Sequence, residues 1–292
     1  MYQVIFLLLN FYFIIVNGIN QLSFSGGGSF GAVEIGILEK IRSIEKVEYD
    51  YYTGISAGGI NSGYLSHFID IDDGINSAKL FYTTIRNKQI YTIKPKTNIS
   101  LLNTSPLEYT IKSIISKLPK SIKETYIGAT NLYTGDLDIF RYDKLNSLDD
   151  YTKLLMCTSA IPIVFPPIHF KNSQYSDGGT LQNELLNIKH TESYLNITFI
   201  TPFSDNNNNN NNNNSITNLK DMTLRTLQVI KTSYNNEYNK INSNCDNPIG
   251  EINKYFIDSS LLNSYNMLNF DNGKELIRIG YNNIQHVKKY IC

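Results

Sequence analysis

Charge of one dominant sign is missing from this chain. Its 292 residues carry 26 Lys and Arg against 26 Asp and Glu, which leaves no basic excess to hold a nucleic-acid backbone. Cysteine is scarce: Cys157, Cys245 and Cys292 are too few for a disulfide scaffold and do not have metal-ligand spacing. Cys157 reads as a small core residue, and Cys245 and Cys292 are left as a candidate pair for an oxidising compartment. A membrane-spanning apolar run is missing too. Val4–Val16 is apolar apart from Asn10 but too short to cross a bilayer comfortably.

That segment has the form of the apolar region of a secretory signal peptide, with cleavage expected after Gly18, although no Lys or Arg precedes it. Residues 1–18 then form the signal peptide and 19–292 one domain of a secreted protein, or of one in the lumen of the secretory pathway or lysosome. An uncleaved membrane anchor or a buried first strand is the alternative. Four glycosylation sequons begin at Asn98, Asn103, Asn196 and Asn213. In so asparagine-rich a chain most arise by chance, and Asn196 falls in an expected buried strand.

What is present is a supply of Ile, Leu, Tyr and Phe ample for a large core. The stretch Asn20–Ser25 reads as a strand, the glycine run Gly26–Gly31 as a turn, and Ala32–Ile44 as a helix with Val33, Ile37, Ile41 and Ile44 on one face. A second strand, Val47–Thr53, leads through Gly54-Ile55-Ser56-Ala57-Gly58 into a helix over Ala57–Phe68. This is a β-α-β unit whose loops share one end of a parallel sheet, where ligands bind in such folds. Helices are expected over Asp72–Asn87 (capped by Asp72 or Asp73), from Ser105 to about Leu118 with Ser105 as cap, and over Leu148–Thr158. Two hairpins are expected, Thr125–Thr130 with Leu137–Arg141, and Ile168–Phe170 with Gln174–Ser176. Leu195–Thr201 reads as an apolar strand and Asn206–Asn214 as a disordered surface loop. Beyond it, helices are expected over Ile216–Asn239 and Glu251–Met267, then a short strand Glu275–Ile279 and a terminal helix from about Asn282.

Two of these turns carry chemistry. Gly-x-Ser-x-Gly between a strand and a helix is the context of a nucleophile elbow, where a tight turn lifts the serine hydroxyl out of the sheet. The unpaired N–H groups of the glycine run offer an anion site at a helix start. A third element, Asp177-Gly178-Gly179, places a carboxylate on a tight turn after a strand, an arrangement that is also an ordinary turn signal.

Taken together, the three elements and the segment Thr158-Ser159-Ala160-Ile161-Pro162-Ile163-Val164-Phe165-Pro166-Pro167 resemble the patatin-like phospholipases. Asn183, six residues past Asp177, fits as well. The resemblance runs from about Leu22 to Asn183, with Arg278-Ile279-Gly280-Tyr281 as a candidate extension. It implies a three-layer α/β/α fold with a central, mostly parallel sheet. It implies that Ser56 is the nucleophile and Asp177 its base in a Ser–Asp dyad. Gly26, Gly27 and Gly28 would form the oxyanion hole, with Gly31, Gly54, Gly58, Gly178 and Gly179 as motif glycines. The activity implied is hydrolysis of carboxylic esters of lipids or phospholipids through an acyl-enzyme. No metal or organic cofactor is implied, and contact with a membrane or lipid aggregate would be peripheral.

The family pattern has Arg or Lys where this chain has Phe30. That departure keeps a second reading open, a patatin-like shell that binds lipid with weak or no turnover. His190 and His286 follow Asp177 in the order used by Ser–His–Asp hydrolases, a third reading. Gly26–Gly31 also fits Gly-x-Gly-x-x-Gly, and Asp50 lies 22 residues after Gly28, near the place of the ribose-binding acid of a dinucleotide-binding oxidoreductase.

Overall fold

The computed structural model describes residues 18–93, 99–186, 193–204 and 248–291. The signal-like segment before Gly18, His190, the Asn206–Asn214 run, the helix expected over 216–239, and both Cys245 and Cys292 lie outside the described residues.

The chain enters the sheet as β1 (Ile19–Phe24), whose Leu22 and Phe24 are fully buried. The glycine run turns it into α1 (Gly31–Ile44). The next strand, β2 (Tyr51–Ile55), starts later than its composition suggests, because Glu45–Asp50 is spent crossing back to the sheet. It leads into α2 (Ala57–Leu65) and then α3 (Ile71–Thr84). Asp70 caps α3 by accepting from Asp72 N. The expected caps Asp72 and Asp73 sit instead in its first turn, where acids complement the helix dipole. Next comes α4 (Ser105–Ile115), which takes Thr104 rather than Ser105 as its cap residue and places Pro106 in the first turn. The hairpin strands β3 (Glu124–Asn131) and β4 (Leu137–Arg141) precede α5 (Leu148–Thr158). A second hairpin, β5 (Ile168–Phe170) and β6 (Ser173–Asp177), ends on Asp177. The described chain closes with β7 (Leu195–Ile200), β8 (Gly250–Phe256), α6 (Gly273–Asn282) and β9 (Gln285–Ile291).

Among the described residues nine strands form one sheet in the order β5-β6-β3-β2-β1-β7-β8-β9, with β4 also on β3. The five central strands, β3-β2-β1-β7-β8, run parallel, and the marginal pairs are antiparallel. The described α-helices flank the face that carries Leu22, Phe24, Tyr52 and Ile127, and bury it in two apolar clusters joined through Tyr64, Phe81 and Met267. The opposite face carries Tyr51, Ile197, Phe199 and Ile252, with Leu186 packed against it.

The C-terminal elements correct the sequence reading. Gly250–Phe256 is a strand, not the start of a helix: alternate residues from Gly250 to Phe256 are buried, and it pairs with both β7 and β9. The stretch read as a last strand is α6, whose Leu276, Ile277, Ile279 and Gly280 face α1 at helical spacing. The end read as a helix is β9, a marginal strand whose residues are mostly exposed. Short apolar runs suit either element, and here a neighbouring strand with free edge groups decides the outcome.

Candidate active site

Ser56 occupies the turn between β2 and α2 with φ 57° and ψ −126°. A positive φ on a non-glycine residue costs on the order of 1–3 kcal/mol and persists where the surroundings impose it. Here they do. A Cβ on Gly58 would lie 2.2 Å from the Ser25 carbonyl oxygen, so only glycine allows β1 and α2 to approach this closely. Ser56 N donates to Thr158 Oγ1 at 2.8 Å, and Thr158 Oγ1 donates to Gly128 O at 2.6 Å. Thr158, at the end of α5, thus ties the elbow to β3. Gly54 lies on β2 with its Cα facing the Gly58 carbonyl.

The structure brings Ser56 and Asp177 together across 121 residues of chain. Ser56 Oγ donates to Asp177 Oδ2 at 2.6 Å, and both residues are buried. Asp177 is held from three sides. Its N–H donates to Ala160 O at 2.8 Å, its carbonyl accepts from Thr130 Oγ1 at 3.0 Å, and its Oδ1 accepts from Gly179 N at 2.7 Å. Gly178 begins the short turn that makes the last of these bonds.

The glycine run lies over Ser56. A Cβ on Gly26 would sit 3.0 Å from Ser56 Cβ. The three expected donors reduce to two, however, because Gly26 N donates to Asn183 O at 3.3 Å and is occupied. Asn183 also returns a bond from Nδ2 to Gly26 O at 3.4 Å, so it fastens the glycine run to the segment after Asp177. Gly27 and Gly28 N–H make no hydrogen bond to any described residue. Gly28 has φ +59°, and a Cβ there would meet the Met267 carbonyl at 2.3 Å. Gly31 opens α1, and its carbonyl accepts from Asn61 Nδ2.

Phe30, in place of the basic residue, points into the core. It is 6% exposed and meets Phe203 edge-to-face at 6.1 Å. The loop is therefore anchored by apolar packing on this side. Cys157 is buried, and burial pushes its thiol up to about 12, so it is no nucleophile at neutral pH.

The other readings meet specific obstacles. His286 lies on β9 and bonds to Asn253 Oδ1 while stacking on Tyr255. Four inter-strand steps separate β9 from β2, roughly 19 Å. His67 is buried between the Pro119 carbonyl and Tyr142 OH, and His169 bonds to Gln174. A ribose-binding acid belongs at the C-terminal end of the second strand. Asp50 sits at the opposite end, just before β2, where Oδ2 accepts from Asn20 N at 2.8 Å. That places it about 17 Å from the glycine run, the length of a five-residue strand.

Beside Ser56 opens an apolar cavity. Ile60, Phe81, Leu107, Ile111, Phe165 and Leu268 are among its apolar lining, and Gly28 and Ser56 line it as well. A second, smaller cavity shares Ile60, Phe81, Tyr82 and Ile111 with it. The sequence reading gave no role to these apolar residues or to Thr158. Thr158 and Phe165 stood inside a recognised segment, and Ile60, Phe81, Leu107 and Ile111 gave only ordinary helix-core signals.

Residues 22–188 match the family described as patatin-like phospholipase, more than half of the chain. The chain belongs to the patatin-like phospholipase family. The match does not reach Arg278–Tyr281, which lie on α6. No curated protein matches this one in sequence. Among solved structures it is similar to VipD from Legionella pneumophila, with 13% identity and a TM-score of 0.44 over 92% of this chain and 68% of that one. As a member of a lipid acyl hydrolase family, the chain directs the reading of its site toward ester chemistry.

Proposed function

We propose that the protein hydrolyses carboxylic esters of lipids, phospholipids among them, through an acyl-enzyme on Ser56. The observation that carries the reading is the 2.6 Å bond from Ser56 Oγ to Asp177 Oδ2 beside an apolar cavity that Ser56 lines. A serine hydroxyl attacks only when a base takes its proton, and Asp177 is aimed at it. As the oxygen bonds to the ester carbon, the proton passes to Asp177 Oδ2 and the carbonyl oxygen becomes an oxyanion. The Gly27 and Gly28 N–H groups, which have no acceptor among the described residues, favour that charge together with the positive end of α2. Collapse expels the alcohol, which takes the proton from Asp177. Water then repeats the sequence on the acyl-enzyme, Asp177 again holding the proton, and the fatty acid leaves with Ser56 restored.

The apolar cavity suits the acyl chain, because burying each methylene contributes about 0.8 kcal/mol. Phe30 does not count against turnover in this account, because the backbone donors do not depend on that side chain. We propose peripheral contact with a lipid surface, where such substrates lie; no described helix is long and apolar enough to cross a membrane. The location we propose is the secretory route, with a mature chain beginning at about Ile19. N-terminal sequencing of material from that route tests it, and a chain that starts at Met1 contradicts it. Hydrolysis of phospholipid, lysophospholipid and triacylglycerol by wild type and Ser56→Ala tests the activity. Equal rates in the two proteins would refute it.

A further inference from the structure

Glu34 carries a carboxyl group buried away from bulk solvent, with no cation against it among the described residues. It lies on α1, one turn past the glycine run, and is 0% exposed. Oε1 is 3.1 Å from Ser25 Oγ, and Oε2 accepts from Asn61 Nδ2 at 2.9 Å. It forms no ion pair with a described residue. Burial therefore raises the carboxyl well above the usual carboxylate range, opposed only in part by the bonds from Ser25 and Asn61. Ser25 at the end of β1, Asn61 on α2, Thr201 after β7 and Tyr82 on α3 surround this polar pocket. Tyr82 is the titratable one, and the same burial raises its phenol, with the Glu34 charge as a second cause.

The two partners of Glu34 belong to the two halves of the site. Ser25 immediately precedes Gly26. Its N–H is fixed to Ile200 O at 3.1 Å, and its Oγ lies 3.0 Å from Thr201 Oγ1 and 3.3 Å from Gly26 O. Asn61 sits one turn into the helix that follows Ser56. Its Nδ2 also donates to Gly31 O at 3.1 Å, and its Oδ1 accepts from Tyr82 OH at 2.8 Å. Tyr82 in turn lines both cavities. One carboxyl group thus links the loop that carries the free N–H donors, the helix that carries the nucleophile, and the wall of the cavity.

We propose that Glu34 is a positioning residue that works as a neutral carboxylic acid, fastening the loop of Gly27 and Gly28 to the helix of Ser56. The proposal rests on the hydrolase reading above. In the neutral acid the proton on Oε1 is given to Ser25 Oγ. The Ser25 hydroxyl hydrogen then goes on to Thr201 Oγ1 or the Gly26 carbonyl, while Oε2 accepts from Asn61. Every polar atom of the link is satisfied. On ionisation Oε1 can only accept, so the single Ser25 hydroxyl hydrogen must turn to it and leave Thr201 Oγ1 and the Gly26 carbonyl, and a charge with no described counter-ion remains in a site that is fully buried. The loop must then shift or admit water, and a misplacement of about 1 Å near reacting groups costs on the order of 100-fold in rate. The folded state holds the proton of Glu34 more tightly than the unfolded chain does. The link is therefore intact below the raised value and lost as pH rises through it.

The test is the rate at which a fluorophosphonate labels Ser56, followed against pH in wild type, Glu34→Gln and Glu34→Ala. An infrared difference spectrum of wild type minus Glu34→Gln at neutral pH accompanies it. Glutamine reproduces the neutral acid, since Nε2 donates to Ser25 and Oε1 accepts from Asn61. We expect labelling of wild type to fall on the alkaline side. Glu34→Gln should stay within about threefold of wild type at neutral pH and lose the alkaline fall. Glu34→Ala should label about 10- to 100-fold more slowly, and the difference spectrum should show a protonated carboxyl band. If Glu34→Ala does not fold, the Glu34→Gln profile decides. An alkaline fall that persists in Glu34→Gln, a wild-type profile flat up to alkaline unfolding, or no protonated band overturns the proposal. So does a Glu34→Gln protein that is folded but unlabelled at every pH. Wild-type labelling that does not need Ser56 refutes the hydrolase reading itself, and so separates the two failures.

Discussion

Replacing Thr158 with valine keeps the shape of the side chain and removes the one oxygen that ties the elbow to β3. That oxygen accepts from Ser56 N at 2.8 Å and donates to Gly128 O at 2.6 Å, and Thr158 is fully buried. Both backbone groups would lose their partner where no water replaces it. A buried unsatisfied group costs about 1–3 kcal/mol, so the pair amounts to roughly 2–5 kcal/mol. In a domain of this size that lowers Tm by on the order of 5–15 °C. The strained Ser56 backbone would also lose a restraint, so kcat on a soluble ester should fall by about tenfold or more while KM changes little. A thermal melt and ester hydrolysis on wild type, Thr158→Val and Thr158→Ser check this. Serine keeps the hydroxyl and should recover most of both losses. A Thr158→Val protein that melts within about one degree of wild type would refute the reasoning, because the paired bonds would then contribute nothing.

Three further outcomes follow from the same geometry. Phe30→Arg, which restores the family's basic residue, should destabilise by about 3 kcal/mol or more without raising activity, because the side chain enters a core site that is 6% exposed; a gain of activity with unchanged Tm would contradict this. Ile111→Phe narrows the space shared by the two cavities and should lower kcat/KM for long-chain p-nitrophenyl esters more than for the butyrate; an equal loss on both would show that acyl chains do not lie there. Burial lowers the pKa of His67, so the native state disfavours its charged form. Stability present above the unfolded value of about 6.5 is then lost as pH falls below it, and the fall of Tm with acid should shrink in His67→Asn; an unchanged pH dependence would place the effect elsewhere.

The N-terminal two-thirds of the fold was legible because strand, turn and helix signals agreed there with tertiary demand. The glycine run, the elbow and the Asp-Gly-Gly turn each mark a place where the backbone must do something only certain residues permit. The chain after β7 was not legible in the same way. Gly250–Phe256 and Gln285–Ile291 are strands because β7 and β8 offer them edges, and that partnership is nowhere in their local composition. The candidate site was legible in its motif residues and opaque in their surroundings. Ser56, Asp177 and the glycine run carry motifs. Thr158, Asn61 and Glu34 act through hydrogen bonds between residues far apart in the chain, and a lone buried Glu on a helix looks like any surface Glu until its burial is known. Gly26 shows the converse: the motif named three donors, and a bond to Asn183 O occupies one of them.

The most direct measurement of the central claim is the mass of the peptide that carries Ser56 after reaction with a fluorophosphonate, in wild type, Ser56→Ala, Asp177→Asn and the double variant. The account predicts one adduct, on Ser56, which is absent from Ser56→Ala and forms at least 100-fold more slowly in Asp177→Asn, a barrier rise of about 2.7 kcal/mol. Ester turnover should be lost in both single variants, and the double variant should be no worse than Ser56→Ala, since the two residues serve one step. An adduct on another residue, or ester turnover that survives Ser56→Ala, would contradict it.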